Sequence, residues 1–179
     1  PERPAAATGV LLLPGGTLAR SMVFFFGGNG GKPYKEDELF QELRDNARRD
    51  LEENPELEML LRPQVRARSF GDMVAHRLAQ LMGDKSLPRS RVLQIFRDTI
   101  EEEDYERGAS LSAVLRADLE AIVERDPACD SKLQAMLFFK GYQAIAAHRV
   151  SHYLWGKGQE TLALGIQSDI SRSFGVDVH

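Results

Sequence analysis

Three places in the chain carry residue types that can do chemistry. In "LFFKGYQAIAAHRVSHYLW", His148 and His152 are four apart, so they share one helical face, the spacing with which two imidazoles can grip a metal ion. The zinc-protease pattern needs a glutamate directly after the first histidine; here that residue is Arg149, and no third His or Cys lies nearby in sequence. The pair is therefore expected to cap, stack or pack at a helix interface, and no metal ligand is assigned. Asp126 stands immediately before Pro127, which restricts its backbone and lets its carboxylate accept from a cationic or hydroxyl-bearing ligand, or simply end a helix. Asp177 lies two residues before His179. A carboxylate there can hold a histidine base in the right tautomer, but the base has to come from elsewhere. The aromatics Phe138, Phe139, Tyr142, Tyr153 and Trp155 read as core and subunit contact rather than as a cofactor box.

The elements that must position these residues are helical. From "YKEDELFQELRDNARRDLEENP", Leu39, Phe40, Leu43, Ala47 and Leu51 fall three or four apart on one face, and Pro55 closes the segment. "ELEMLLRPQVRAR" is helical with Pro63 in mid-course, where a missing amide should kink or split it. Ser69 reads as the N-cap of "FGDMVAHRLAQLM", "GDKSLP" as a loop, and a fourth helix is expected from Arg89 to about Glu103 before a break at Gly108. Ser110 opens "LSAVLRADLEAIVER", which Asp126-Pro127 ends. The longest apolar segment, Leu133 to Trp155, holds Gly141 inside it and is counted as a sixth helix. A seventh, Glu160 to about Ser173, follows the Gly156 to Gly158 break. The ending "FGVDVH" alternates apolar and polar residues like a first strand. The visible fold class is thus all-α.

Composition narrows the function. The chain has 179 residues, 42% of them hydrophobic, enough for one domain with a core. Its net charge of −4 comes from 23 basic and 27 acidic residues, interspersed with no basic cluster, which argues against nucleic-acid binding. The lone Cys129 forms no internal disulfide, so a reducing compartment is expected. No apolar run approaches the roughly 20 residues that span a bilayer, and no membrane role is expected. Residues 1–33 carry Glu2 as their only acid and the glycine-rich "FFFGGNGGKP"; they read as a disordered leader or an organelle-targeting remnant, with Met22 as an alternative start.

The stretch "RDPACD" followed by "FFKGYQAIAAHRVSHYLWGKGQETLALGIQSDISRSFGVDVH" resembles the serine O-acetyltransferases of bacteria and plants. In that family an Arg-Asp-Pro-Ala turn precedes a "KGF/Y-QA" helix, an "R-V/I-x-H-x-LW" stretch and an "FxVDIH" opening of the catalytic domain. "ELRDNARRDLEENPELEMLL" and "SFGDMVAHRLAQLM" fit the family's N-terminal helical region, so the likeness runs roughly from Lys35 to His179.

The resemblance implies an enzyme whose N-terminal helical domain, residues 34–173 here, assembles as a dimer of trimers. It is followed by a left-handed parallel β-helix of hexapeptide repeats, whose first strand would be residues 174–179. It implies acetyl transfer from acetyl-CoA, the co-substrate, to the hydroxyl of L-serine, giving O-acetylserine for cysteine biosynthesis. Asp177 matches the carboxylate that orients the catalytic histidine, and Asp126 one that binds the amino group of serine, or of cysteine when the end product inhibits. The histidine itself, a second substrate-binding Asp, the CoA-binding repeats and the tail that docks on O-acetylserine thiol-lyase belong beyond His179, so this stretch is expected to be inactive alone. A rival reading is a non-catalytic helical oligomerisation or scaffold module. The expected location is the cytoplasm, or a plastid or mitochondrion if the first residues are a targeting remnant.

Overall fold

The computed structural model describes residues 36–102 and 110–178; the leader at 1–33, the break at Gly108 and His179 lie outside them. Among the described residues the chain forms eight α-helices and no strand: α1 (Glu36–Glu53), α2 (Glu58–Arg66) after a 3₁₀ turn (Pro55–Leu57), α3 (Phe70–Leu81), α4 (Arg89–Glu101), α5 (Leu111–Arg125), α6 (Lys132–Phe138), α7 (Lys140–Gly156) and α8 (Glu160–Phe174). The all-α expectation holds.

Helix starts follow their caps. The hydroxyls of Ser69, Ser110 and Ser131 accept from Asp72, Ala113 and Gln134 amides at 3.0, 3.2 and 3.1 Å, each satisfying a first-turn donor. Ser69 also donates to Glu101 Oε1 at 2.7 Å, tying the start of α3 to the end of α4. These two helices approach so closely that a Cβ on Gly71 would lie 2.7 Å from Ile100 Cγ2. Beside that contact Asp72 is buried and accepts from the Arg68 amide (2.9 Å) and from Arg97 Nε (2.7 Å), with His76 Nε2 3.6 Å away. Burial pushes the Asp72 carboxyl up, but these donors and the neighbouring positive charge outweigh it and hold it below the usual carboxylate range.

Pro63 does not split its helix. Pro63 sits inside α2, where its missing amide leaves the Met59 carbonyl without its i+4 donor. The side chain of Gln80, from α3, supplies the replacement: its Nε2 donates to Met59 O at 2.8 Å. A proline is tolerated because a neighbouring helix completes its ladder.

Two further expectations are corrected. The apolar segment Leu133 to Trp155 is two helices, not one; the break falls at Phe139, whose extended backbone (φ −83, ψ 105) stops α6, while Gly141 lies within α7. The carbonyls exposed by the break are capped from afar. Gln143 Nε2 donates to Leu137 O at 2.7 Å and to Met136 O at 3.3 Å, and Arg77 Nε donates to Leu137 O at 2.8 Å. The second correction concerns the ending. Phe174, read as opening a strand, is the last residue of α8, buried against the core, and Gly175 (φ 71, ψ 25) terminates the helix in the left-handed region. Residues 176–178 adopt no regular structure, since a strand needs a ladder partner and none is present among the described residues. The fourth helix likewise stops at Glu101, short of the expected Glu103.

At the centre stands α7, packed against α3, α4, α5, α6 and α8. It buries most of its circumference, through Tyr142, Ala144, Ala146, Ala147, Val150, Tyr153 and Leu154, and leaves one stripe, Gly141, His152 and Trp155 with half-buried Ile145 and His148 between them, toward solvent. Its alanines let neighbours come close, and several of its polar side chains find partners: Ser151 Oγ donates to Ala163 O (3.0 Å), Tyr142 Oη to Leu115 O (3.3 Å), and Arg149 makes a two-pronged ion pair with Asp118, with Nη2 to Oδ1 at 2.8 Å.

Three outcomes follow for stability, each measurable by urea unfolding. Gln80→Leu should cost about 1 kcal/mol, and less in a Pro63→Ala background, where an amide at residue 63 supplies the bond itself. Gly71→Ala should destabilise by about 1–3 kcal/mol because β-branched Ile100 cannot yield, whereas Gly165→Ala, in α8 with nothing within 4 Å of the added atom, should stabilise by up to about 1 kcal/mol. Asp72→Asn should weaken the fold. Because the native pKa of Asp72 is depressed, its contribution is complete above the unfolded value of about 3.9 and vanishes as pH falls through the native one, so the gap between variant and parent should close in acid.

Candidate functional site

Asp126 is the C-cap of α5. Pro127 excludes the α region for the residue before it, and Asp126 accordingly turns extended (φ −102, ψ 105) while its amide still donates to Ile122 O at 2.9 Å. The turn is then fixed by two bonds: the Ala128 amide donates to Asp126 Oδ1 at 2.9 Å and the Cys129 amide to Asp126 O at 3.0 Å. Only one carboxylate oxygen is used. Oδ2 has no hydrogen bond among the described residues and is available to a cation or an N–H donor. Cys129 is half-buried and its thiol faces the Ser131 carbonyl at 3.4 Å.

Asp177 is exposed, two residues past the left-handed turn at Gly175. It lines a shallow groove with Leu164, Gln167, Ser168, Ser171, Arg172 and Val178, so the segment after α8 lies along the last turns of the helix it has just left. Asp126 does not line this groove. Within a single chain the two sequence-flagged carboxylates therefore occupy separate places, one at the end of α5 and one beyond the end of α8.

The histidine pair has the expected shared face: the His148 and His152 ring centroids are 6.1 Å apart, inclined at 41°. Burial pushes the His148 pKa down, and His152 and Arg149 add to the effect, so the ring is neutral near pH 7. His148 Nδ1 is buried without a partner, and among the described residues no group of three or more His, Cys, Asp or Glu gathers as a metal ion would require. The aromatics divide. Tyr142 and Tyr153 are core, and burial raises both phenols; Phe139 is half-buried against the core, while Phe138 and Trp155 are exposed.

One ionic cluster beside the groove escaped the sequence reading. Asp169, on α8 and 4% exposed, accepts from the Gly83 amide (2.7 Å), Arg172 Nη2 (2.6 Å) and Ser173 Oγ (3.1 Å). Arg172 Nη1 reaches Asp84 Oδ2 at 2.9 Å, and Asp84 Oδ1 accepts from the Ser86 and Leu87 amides at 2.7 and 3.0 Å. Those two amides, with Arg172 adding, hold the Asp84 carboxyl below its ordinary range. The i,i+3 spacing of Asp169 and Arg172 was a readable signal; their link to a loop more than eighty residues earlier was not.

Among the described residues no helix is long and apolar enough to cross a membrane. The profile of the family described as "Serine acetyltransferase, N-terminal" matches residues 39–147. Serine acetyltransferase 2 of Arabidopsis thaliana is 35% identical over 150 residues, covering 81% of this chain and 44% of the relative; the Haemophilus influenzae serine acetyltransferase is 29% identical over 143 residues, covering 79% and 52%. Among solved structures, soybean serine acetyltransferase complexed with serine superposes with a TM-score of 0.75 at 32% identity, covering 83% of this chain and 59% of that one. The Neisseria gonorrhoeae enzyme gives 0.72 at 33% identity, covering 83% and 55%. The chain spans about half the length of the relatives it matches. With the family profile covering most of the helical region, from α1 into α7, this chain belongs to the serine acetyltransferases, as their N-terminal domain.

Proposed function

We propose that the complete protein transfers the acetyl group of acetyl-CoA to the hydroxyl of L-serine, forming O-acetylserine for cysteine biosynthesis. The observation that carries this reading is the family match over Leu39 to Ala147, which includes Asp126 in its proline-fixed turn with one carboxylate oxygen uncommitted. Similar solved structures include serine acetyltransferases complexed with serine, with CoA and with cysteine, which supports the same substrate class here.

The chemistry assigns each carboxylate a task. A serine hydroxyl becomes a competent nucleophile when a histidine takes its proton as the oxygen attacks the thioester carbonyl; the C–S bond then breaks, and the CoA thiolate leaves with that proton. Asp177 orients the histidine, which lies outside this stretch, and Asp126 Oδ2 receives the ammonium group of serine. The two carboxylates have different tasks and separate places in one chain, and they serve one reaction where subunits adjoin. That arrangement needs the rest of the assembly: a hexapeptide-repeat β-helix following α8, a dimer of trimers, and a terminal tail for O-acetylserine thiol-lyase. Residues 34–173 form the helical domain in this organisation, and 1–33 precede it as a leader. The plant relatives include one named chloroplastic and one named mitochondrial. The cytoplasm is the proposed location of this protein, or one of those organelles where residues 1–33 serve as a targeting segment.

In the complete protein, Asp126→Ala should raise the serine KM about tenfold or more, the loss of one charge-assisted bond, and relieve cysteine inhibition. Asp177→Asn should lower kcat about a hundredfold or more with little change in serine KM. Steady-state kinetics of CoA release measure both. Parental values in both variants would remove these residues from the reaction.

A further inference from the structure

Asp177 must be held in place if it is to orient a base, yet it is exposed and follows a glycine turn that allows wide backbone freedom. Three contacts limit that freedom. Gly175 N donates to Ser171 O at 2.9 Å, closing the turn; Val178 packs against the core; and the groove wall on α8 is built by Ser168, Ser171 and Arg172, which are three and four apart and so lie on one face.

Arg172 is the member of that wall with a long-range anchor. Its guanidinium bridges two carboxylates, Asp169 on its own helix and Asp84 in the 83–87 loop, and it lines both the groove of Asp177 and the neighbouring one formed against that loop. The loop is itself stiff. Asp84 Oδ1 accepts two loop amides, Asp84 N donates to Leu87 O at 3.0 Å, and Gly83 adopts φ +101 with backbone atoms where a Cβ would stand. Its amide is spent on buried Asp169. The last turn of α8 is thus pinned to a rigid loop from a distant part of the chain, immediately before the residue that must be aimed.

We propose that Arg172 is a positioning residue for Asp177: by bridging Asp84 and Asp169 it fixes the end of α8 and the wall along which the Asp177 segment lies. The inference rests on the reading of Asp177 as the orienting carboxylate. It requires no contact between Arg172 and substrate, so it acts on turnover rather than on serine binding.

The test uses the complete protein and compares the parent with Asp177→Asn, Arg172→Gln, Arg172→Lys and Asp84→Asn, with melting temperature recorded for each. Arg172→Gln should lower kcat about tenfold while serine KM stays within about twofold, since misplacement of about 1 Å is enough for losses of this order and more. Arg172→Lys should recover much of that loss, because an ammonium retains the charge and reaches at least one carboxylate. Asp84→Asn replaces the acceptor facing Arg172 by an NH₂ group while Oδ1 can still take the loop amides; it should lower kcat several-fold at an unchanged melting temperature. Should Arg172→Gln fail to fold, Asp84→Asn decides in its place. Parental kcat per folded enzyme in Arg172→Gln or, in that case, in Asp84→Asn, alongside a depressed Asp177→Asn, overturns the positioning role alone. An inactive parent, or parental turnover in Asp177→Asn, overturns the functional reading beneath it.

Discussion

The helical domain is organised around α7, which buries most of its surface against α3, α4, α5, α6 and α8. A helix that buries most of its circumference needs neighbours on several sides, and a polar group it carries into the interior is stable there only when answered by a partner. Gln143 answers the end of α6, Ser151 answers α8 through Ala163, and Arg149 answers α5 through Asp118. These bonds lock orientation where burial alone would only attract. They also fix the places of the two candidate carboxylates. Asp126 ends α5 and Asp177 follows α8, so both carboxylates hang from helices whose placement is fixed by the same central element.

Legibility in the sequence followed the range of the interactions. Ser69 and Ser110 could be read as caps because a cap is settled within four residues, and Asp126 as a helix end because proline constrains only its neighbour. The break at Phe139 could not be read. No glycine or proline marks it, Gly141 drew attention to the wrong position, and the carbonyls it frees are capped by Gln143 and by Arg77, sixty residues earlier. Periodicity was little help as well, since apolar residues run unbroken from Ala135 to Phe139 across the junction and leave no phase there to reveal a change of helix. Pro63 misled for the same reason: its local effect is destabilising, and the compensation comes from Gln80 on another helix.

The terminal segment shows a different failure. Alternation in "FGVDVH" is a strand signal only if a ladder is available, because extended residues gain their stability from pairing. In this chain Phe174 gains more by staying on α8 and burying its ring, and Gly175 then makes the left-handed stop. Asp84 and Arg172, an ion pair that sequence reading missed, belong to this long-range class too. Each looks like an ordinary surface charge until the loop and the helix meet.

What separates the structural acids from the proposed substrate-binding one is how their oxygens are occupied. Asp72 and Asp169 are buried and fully engaged, each by donors from more than one segment, as a carboxylate must be to persist away from water. Their charge is consumed in holding helices together, and a ligand could reach neither without breaking the fold. Asp126 is different: one oxygen secures its own turn and the other is left open, so the residue is rigid without being saturated. Rigidity with spare acceptor capacity is what ammonium recognition requires, because the ordering cost has been met before the ligand arrives. The same division explains the ionic cluster near Asp177. Asp169 and Asp84 neutralise Arg172 and hold it, which ties the helix end to the 83–87 loop while Asp177 itself stays at the surface, where the proposed histidine base would have to reach it.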